Sequence, residues 1–389
     1  MILTYLKSSF HIILWPFLYL FYFFSGFSKR NSHIWVFGSF GTYNDNSKYL
    51  FEYINNNEPT ISAIWISKSL ASVTRARLSG YRAYSTWSFL GLYYSLRAKA
   101  YIYSAYVSDI NFFTSRNALK INLWHGIPLK KIEFDIKSKP LSDIFTDASL
   151  WVKYRRPAQH VKPNLLLATS QHVADYSFKS AFRVEENNMI IATYPRVIDL
   201  CKRNKLRKNN KNFTFLYAPT WRDSGGDFII ASQINFSVLN EFLSKNNAVL
   251  ILKFHPATHI DFLPSSYSQI RLADKNDDPN NLMVESDCLI TDYSSIYFDY
   301  ICQNKPVLFF PFEKEEYLSQ REMYRSDNKS TPGRKADNIN QLINNMELTL
   351  SNPKNNKQLR EAMIKKYSPI NLKSNRHITD RIKALTLRV

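Results

Sequence analysis

The 389-residue chain lacks the signatures that give away many nucleotide- and metal-dependent enzymes. It has no GxGxxG, no GxxxxGK[ST], no HExxH and no GxSxG, so dinucleotide, P-loop, zincin and α/β-hydrolase readings have no motif support. Cysteine is scarce. Cys201, Cys288 and Cys302 form no CxxC and no even framework, which excludes a disulfide scaffold and points to buried, inert thiols in a reducing compartment. Acid is in deficit too: 51 Lys and Arg face 32 Asp and Glu, a net charge of +19. Such a balance calls for anionic partners, whether nucleic acid, an anionic leaflet or phosphorylated substrates. No internal repeat is present, and low complexity is confined to Asn/Lys-rich tracts. What is present is a globular composition, 45% hydrophobic, on a chain long enough for two α/β domains.

The first apolar run is Phe10 to Phe27, with Lys7 before it and Lys29-Arg30 after it. It approaches the ~20 residues of a spanning helix, but Pro16 interrupts it and His11 and Ser25 dilute it. No small-x-small site precedes the start of the fold at Trp35, which disfavours a cleaved signal peptide. Trp15, Tyr19 and Tyr22 suit the headgroup level of a bilayer. The expectation for residues 1–30 is a membrane-seated anchor with its basic residues at the cytoplasmic surface. One true span, or a buried first helix, is the alternative.

From there strands and helices alternate. Ile34–Gly38, Ile61–Ile66, Ala100–Ala105, Ile121–Trp124, Leu165–Ala168 and Met189–Ala192 are predicted strands, with helices at Tyr49–Ile54 and Trp87–Leu96. Between Asp199 and Phe213 six basic residues stand without an acid, which suggests an exposed linker. The alternation restarts with strands at Phe213–Ala218, Val249–Phe254, Cys288–Ile290 and Val307–Phe310. The expected architecture is α/β, two doubly wound Rossmann-type domains facing a cleft, with residues 31–200 in the first, 201–212 as basic linker and 213–389 in the second.

Five strand ends carry polar groups. His125 leaves a strand just before Gly126, where backbone can approach a ligand closely, and a neutral imidazole there is suited to accept a proton. Tyr194-Pro195-Arg196 follows another strand. Tyr217-Ala218-Pro219-Thr220-Trp221-Arg222-Asp223 ends one in a hydroxyl and a guanidinium, and Lys253-Phe254-His255 ends another in a cation and an imidazole. In the fifth, Cys288–Ile290 runs into Thr291-Asp292-Tyr293-Ser294-Ser295, after which Ile296, Tyr297 and Tyr300 recur at helical spacing. Ser294 and Ser295 are helix caps or a phosphate seat. Together Arg196, Arg222, Lys253, the hydroxyls and the imidazoles compose a diphosphate cradle.

These stretches, in this order, resemble the CDP-glycerol glycerophosphotransferase family of teichoic acid priming and polymerisation. The resemblance rests on His125–Lys130, Tyr194–Arg196, Tyr217–Asp223, His255 and Thr291–Asp299, with Asp45-Asn46-Ser47-Lys48 and Lys305-Pro306-Val307 beside them. It covers roughly residues 34 to 350. It implies a two-domain GT-B architecture with CDP-glycerol held mainly by the second domain, to which the Phe10–Phe27 reading adds an N-terminal membrane-associated helix. The implied donor contacts are Trp124, His125, Gly126, Ile127, Pro128, Arg196, Pro219, Thr220, Lys253, Phe254, His255, Ser294, Ser295 and Asp299. His125 would be the base that deprotonates the acceptor hydroxyl. His255, Lys253 and the Ser294/Ser295 helix end would stabilise charge on the diphosphate. No cofactor and no obligatory metal are implied. The implied partners are CDP-glycerol, a lipid-linked glycan or polymer acceptor and an anionic membrane surface at the cytoplasmic face, not nucleic acid. The product belongs to teichoic acid, capsule or O-antigen synthesis. Departures from the family pattern lie at Thr193 in place of Gly, at Val197-Ile198 in place of Asn-Asp, and between Arg321 and Gly333. They bear on the alcohol phosphate and the acceptor more than on the reaction class. The alternatives are a nucleotide-sugar GT-B glycosyltransferase, a CDP-ribitol transferase, and a basic binding protein without catalysis.

Overall fold

The structure is a computed structural model. It describes residues 2–207, 212–220, 234–254, 267–274, 277–311, 322–324 and 331–387, with side chains from residue 14 onward. The two residues Arg222 and His255 therefore lie outside the described residues.

Two all-parallel sheets follow one another along the chain. The first contains β1 (Asn31–Gly38), β2 (Ser62–Ser67), β3 (Ala83–Ser85), β4 (Ala98–Tyr103), β5 (Leu119–Asn122), β6 (Leu165–Ala168) and β7 (Met189–Ile191), in the order β3-β2-β1-β4-β5-β6-β7. The second contains β8 (Phe213–Tyr217), β9 (Ala248–Leu252), β10 (Ile270–Leu272), β11 (Cys288–Thr291), β12 (Val307–Phe309) and β13 (Arg334–Lys335), in the order β10-β9-β8-β11-β12-β13. Helices cover the strands, so strands such as Trp35–Gly38 and Leu165–Ala168 are continuous apolar runs with no polar face. In each sheet the strand order reverses once, between β1 and β4 and between β8 and β11. At such a reversal the connections diverge to opposite faces and leave a crevice at the carboxyl ends of the strands.

The sequence expectations need three corrections. First, the basic stretch after Asp199 is not an exposed linker: helix Pro195–Leu206 runs through it. Pro195 opens the helix, and Val197, Ile198, Leu200 and Cys201 bury one face while Lys202, Arg203 and Lys205 stay outside. Arg207 then pairs with Asp287 through its two terminal guanidinium nitrogens, at 2.6 and 3.2 Å. Residues 208–211 lie outside the described residues. Second, the end of the chain does not stay with the second sheet. The Thr193 hydroxyl donates to the Pro369 carbonyl (2.8 Å) and accepts from the Asn371 N–H (2.8 Å), while the Thr193 N–H donates to Ser374 Oγ (3.1 Å). Lys383, on the final helix Ser374–Thr386, pairs with Glu58 in the first half. A glycine at position 193 would have no hydroxyl for the first two of these bonds.

Third, Arg30 is not held at an outer surface. Its guanidinium turns inward and donates to the carbonyls of Ser95, Ala98, Thr114 and Arg116 at 2.6–3.0 Å. The helix Ile2–Ser25 before it is seated on the first half by aromatic contacts. Tyr19 stacks on Tyr154 at 4.8 Å, and Tyr22 stacks on Phe112 at 4.6 Å. Its other side leaves Phe17, Leu20, Phe23 and Phe24 exposed, with Phe27 just beyond. Among the described residues no helix is long and apolar enough to cross a membrane. The three cysteines are free and buried, and burial raises their thiol pKa values.

Candidate functional site

The first crevice is tied shut by short polar side chains at strand ends. Asn46, at the start of the helix Asp45–Asn57 that follows β1, donates to the Trp124 carbonyl at 2.7 Å. Ser47 and Ser104, which follow β1 and β4, share a hydroxyl–hydroxyl bond of 2.6 Å across the reversal. Asn122 ends β5 by accepting from the Trp124 N–H (2.8 Å) and donating to the Ala105 carbonyl (3.1 Å). These bonds hold Trp124 in the left-handed region, at φ +52°, a conformation that costs on the order of 1 kcal/mol for a residue of this kind. The Trp124 ring turns into the core against Phe182, at 4.7 Å between centroids, and supports the His125 ring at 4.0 Å. His125 is thereby thrown out of the turn with its edge open to the cleft.

The imidazole has a defined tautomer. Nδ1 lies 3.1 Å from the Ser104 carbonyl oxygen, which can only accept, so Nδ1 carries the proton. Nε2 keeps its lone pair and has no hydrogen-bond partner among the described residues. Burial between the two halves lowers the His125 pKa below its ordinary 6.5; Asp45 and the Ser104 carbonyl pull the other way, and Arg196 adds to the lowering. The ring is neutral at pH 7 and able to take a proton.

Arg196 lies at the seam between the halves. Its Nη1 contacts Asp45 Oδ1 at 2.5 Å and the His125 carbonyl at 2.9 Å, while Nε and Nη2 clasp Asp299 Oδ2 at 2.8 and 2.7 Å. Asp299 is buried, and burial pushes its carboxyl pKa up, with Arg196 opposing. The two residues expected as separate donor contacts are thus one ion pair, with Asp45 as its third member. Lys48 and Tyr49 reach the other half at Asp278, at 3.0 and 2.8 Å.

A cleft of two lobes results. One is bounded by His125, Arg196, Asp299 and Asp45; the other by residues 124–130, Thr220 and Tyr293. His125, Ser294 and Ser295 line both. At the waist a Cβ on Gly126 would meet Ser295 Oγ at 3.2 Å, so the residue after His125 must be small for the halves to approach this closely.

Among the described residues, a carboxylate gathers the strand ends of the second crevice. Asp292 Oδ1 accepts from the Thr220 N–H (2.8 Å), the Thr220 hydroxyl (2.7 Å) and the Tyr293 N–H (2.6 Å). The Thr291 hydroxyl donates to the Ala218 carbonyl at 2.7 Å. Ser294 Oγ accepts weakly from the Ile296 N–H at 3.4 Å, whereas the Ser295 side chain makes no capping bond to helix Ile296–Ile301.

Of the expected site residues, His125, Gly126, Ile127, Pro128, Arg196, Thr220, Ser294, Ser295 and Asp299 come together around the cleft, and Trp124 lines it from its buried seat. Phe254 instead packs into the second core, and Lys253 directs its ammonium to the Asp274 carbonyl at 2.7 Å. Pro219 is half-buried and borders neither lobe. Sequence reasoning missed Asp278 and Asp292 as structural anchors of the cleft. It also singled out the Asp45–Lys48 turn without placing Asp45 in the site. Among the described residues no group of His, Cys, Asp and Glu converges as a metal site requires.

Residues 20–383 match the family model described as CDP-glycerol:poly(glycerophosphate) glycerophosphotransferase. The chain is 28% identical over 328 residues to a teichoic acid poly(glycerol phosphate) polymerase of Staphylococcus epidermidis, covering 77% of this chain but only 43% of that protein. It is 27% identical over 335 residues to a teichoic acid glycerol-phosphate transferase of Staphylococcus aureus, covering 80% of this chain and 83% of that one. Its fold resembles the solved structure of the wall teichoic acid polymerase TagF, with a TM-score of 0.76 at 22% identity over 100% of this chain and 98% of that chain.

Proposed function

The chain belongs to the CDP-glycerol:poly(glycerophosphate) glycerophosphotransferase family, and on that premise we propose that it transfers glycerol phosphate from CDP-glycerol to a hydroxyl of a lipid-linked glycan or growing polymer. The observation that carries this reading is the neutral His125 with Nε2 free in a cleft whose facing wall presents the Ser294 and Ser295 hydroxyls. In the proposed reaction Nε2 takes the proton of the acceptor hydroxyl. The oxygen attacks the β-phosphorus, the bond to the CMP phosphate breaks, and CMP leaves with the electron pair. Ser294, Ser295 and Thr220, which line the cleft opposite His125, would hold phosphoryl oxygens of the donor. Arg196, balanced by Asp45 and Asp299, keeps the two halves in register and is not spare charge for the diphosphate.

The two sheets with their facing crevices support a GT-B division into an acceptor half and a donor half, on either side of the stretch around residues 201–212. The exposed aromatic side of helix Ile2–Ser25, with Lys29 and Arg116 near its end and the net charge of +19, supports docking at the cytoplasmic face of an anionic membrane without a span. The pathway is teichoic acid, capsule or O-antigen synthesis. One experiment tests the reading. The full-length protein, with vesicles carrying a lipid-linked acceptor, is given CDP-glycerol, CDP-ribitol or a nucleotide sugar, and nucleotide release is measured. CMP released with CDP-glycerol alone is the expected result; release of nucleotide only from the sugar donor makes the protein a glycosyltransferase. In the same samples the protein is expected to sediment with anionic vesicles, and no sedimentation at low salt would sink the membrane reading.

A further inference from the structure

The His125 ring is oriented by a peptide group and not by a side chain. Its Nδ1–H donates to the Ser104 carbonyl at 3.1 Å. The N–H of that same peptide unit, on Ala105, donates from the opposite edge to Oδ2 of Asp109 at 2.9 Å, and the Tyr106 N–H reaches the same oxygen at 3.3 Å. Asp109, Ser104 and Ala105 are all buried. The unit has little freedom, because Asn122 donates to the Ala105 carbonyl at 3.1 Å, Ser47 grips the Ser104 hydroxyl at 2.6 Å, and the Leu123 N–H donates to the Tyr103 carbonyl at 2.8 Å.

A peptide bonded at its N–H by a carboxylate is polarised along its length, so its carbonyl oxygen becomes a stronger acceptor. In a buried setting that effect is weakly screened. We propose that Asp109 is a positioning carboxylate for His125, acting through the Ser104–Ala105 peptide to hold the Nδ1–H tautomer and to favour the imidazolium that forms as Nε2 takes the acceptor's proton. This rests on the reading of His125 as the base. The logic is that of a His–carboxylate pair with one peptide unit placed between them. A purely local role, closing the turn Val107–Asp109 that follows Tyr106, would use the same N–H bonds. The two roles differ in what the imidazole feels.

Asp109 is faced by Asp45 and Lys68 and lies near the phenols of Tyr103 and Tyr106; His125 is faced by Asp45 and Arg196. Burial pushes the Asp109 carboxyl up to about 7, with the Ala105 and Tyr106 N–H groups holding it down. The carboxylate is therefore predominantly charged at pH 8, where the comparison is best made.

The test uses Asp109→Asn and Asp109→Ser in the full-length protein, since both side chains can still accept from the turn while carrying no charge. With CDP-glycerol at pH 8, kcat is expected to fall about tenfold, KM to stay within about twofold, and the acid limb of the kcat profile to move down by about one pH unit. In ¹⁵N-histidine spectra, with the His125 signal assigned by its loss in His125→Asn, the imidazole pKa should drop in parallel. Unchanged kcat and limb in folded variants, or a loss confined to KM, overturns the proposal. Should both variants unfold, the wild-type spectrum decides: an Nε2–H tautomer at His125 overturns it, and an Nδ1–H tautomer whose nitrogen shifts respond to a second titration near pH 7 sustains it. A wild-type protein that releases no CMP from CDP-glycerol refutes the functional reading instead, and the spectrum still tests the relay.

Discussion

The two crevices occupy equivalent places, each at the strand-order reversal of a parallel sheet, yet they are built differently. The first is closed by a dense set of side-chain bonds among Asn46, Ser47, Ser104, Asn122 and the backbone of residues 104–125, all aimed at one imidazole. Among the described residues the second is gathered by one oxygen of Asp292, which accepts from Thr220 after β8 and Tyr293 after β11, beside the Ser294 and Ser295 hydroxyls that line the cleft. The difference fits a division of labour. A base must be held to a fraction of an ångström and in one tautomer, whereas a seat for a flexible diphosphate needs donors and some give.

Substitutions can separate the two. The largest effect is expected for His125→Ala, which removes the base without touching the Asp292 anchor. Turnover of CDP-glycerol should fall on the order of a thousandfold while donor binding, measured by calorimetry, stays near wild type. In the wild type the same residue sets the pH dependence: its folded pKa lies below 6.5, so activity should rise with pH as the ring loses its proton, rise further as Asp109 ionises near 7, and level off by about pH 8. A profile that rises only above pH 8 would assign the base elsewhere.

Asp292→Ala is the counterpart in the second crevice. Losing three bonds to one buried carboxylate oxygen should cost roughly 1.5–3 kcal/mol, seen chiefly as a 10- to 100-fold rise in KM for the donor. A drop in kcat at unchanged KM would erase the distinction drawn between the crevices. The smallest effect belongs to Thr193→Gly, outside both. It removes the hydroxyl that ties residues 369–371 to the first half, and should lower thermal stability by about 1 kcal/mol with turnover nearly intact.

Much of the architecture was legible in the sequence because buried parallel strands are local signals. Trp35–Gly38, Leu165–Ala168 and Cys288–Ile290 are apolar runs bounded by turn residues, and each is a strand. The error at 199–206 has an equally local cause. Six basic residues outweighed the buried stripe of Val197, Leu200 and Cys201 that the same helix carries on its other face. Arg30 is inward-turned because its four shorter carbonyl bonds go to residues from Ser95 to Arg116, where no sequence pattern announces them.

The residue types of the site, and their placement at strand ends, were determined by the sequence alone. Apolar runs and turn chemistry act over a few residues, and the family motifs lie on those turns. Only the tertiary structure decided which of them meet. Arg196 finds Asp299 across 103 residues of chain and Asp45 across 151, and Lys48 finds Asp278 across 230. It also decided that Phe254 belongs to a core, that Thr193 anchors the end of the chain, and that Asp109 reaches His125 through a peptide. Such bonds depend on how two sheets and their crossing helices pack, and that packing is set by the whole buried surface rather than by any one segment.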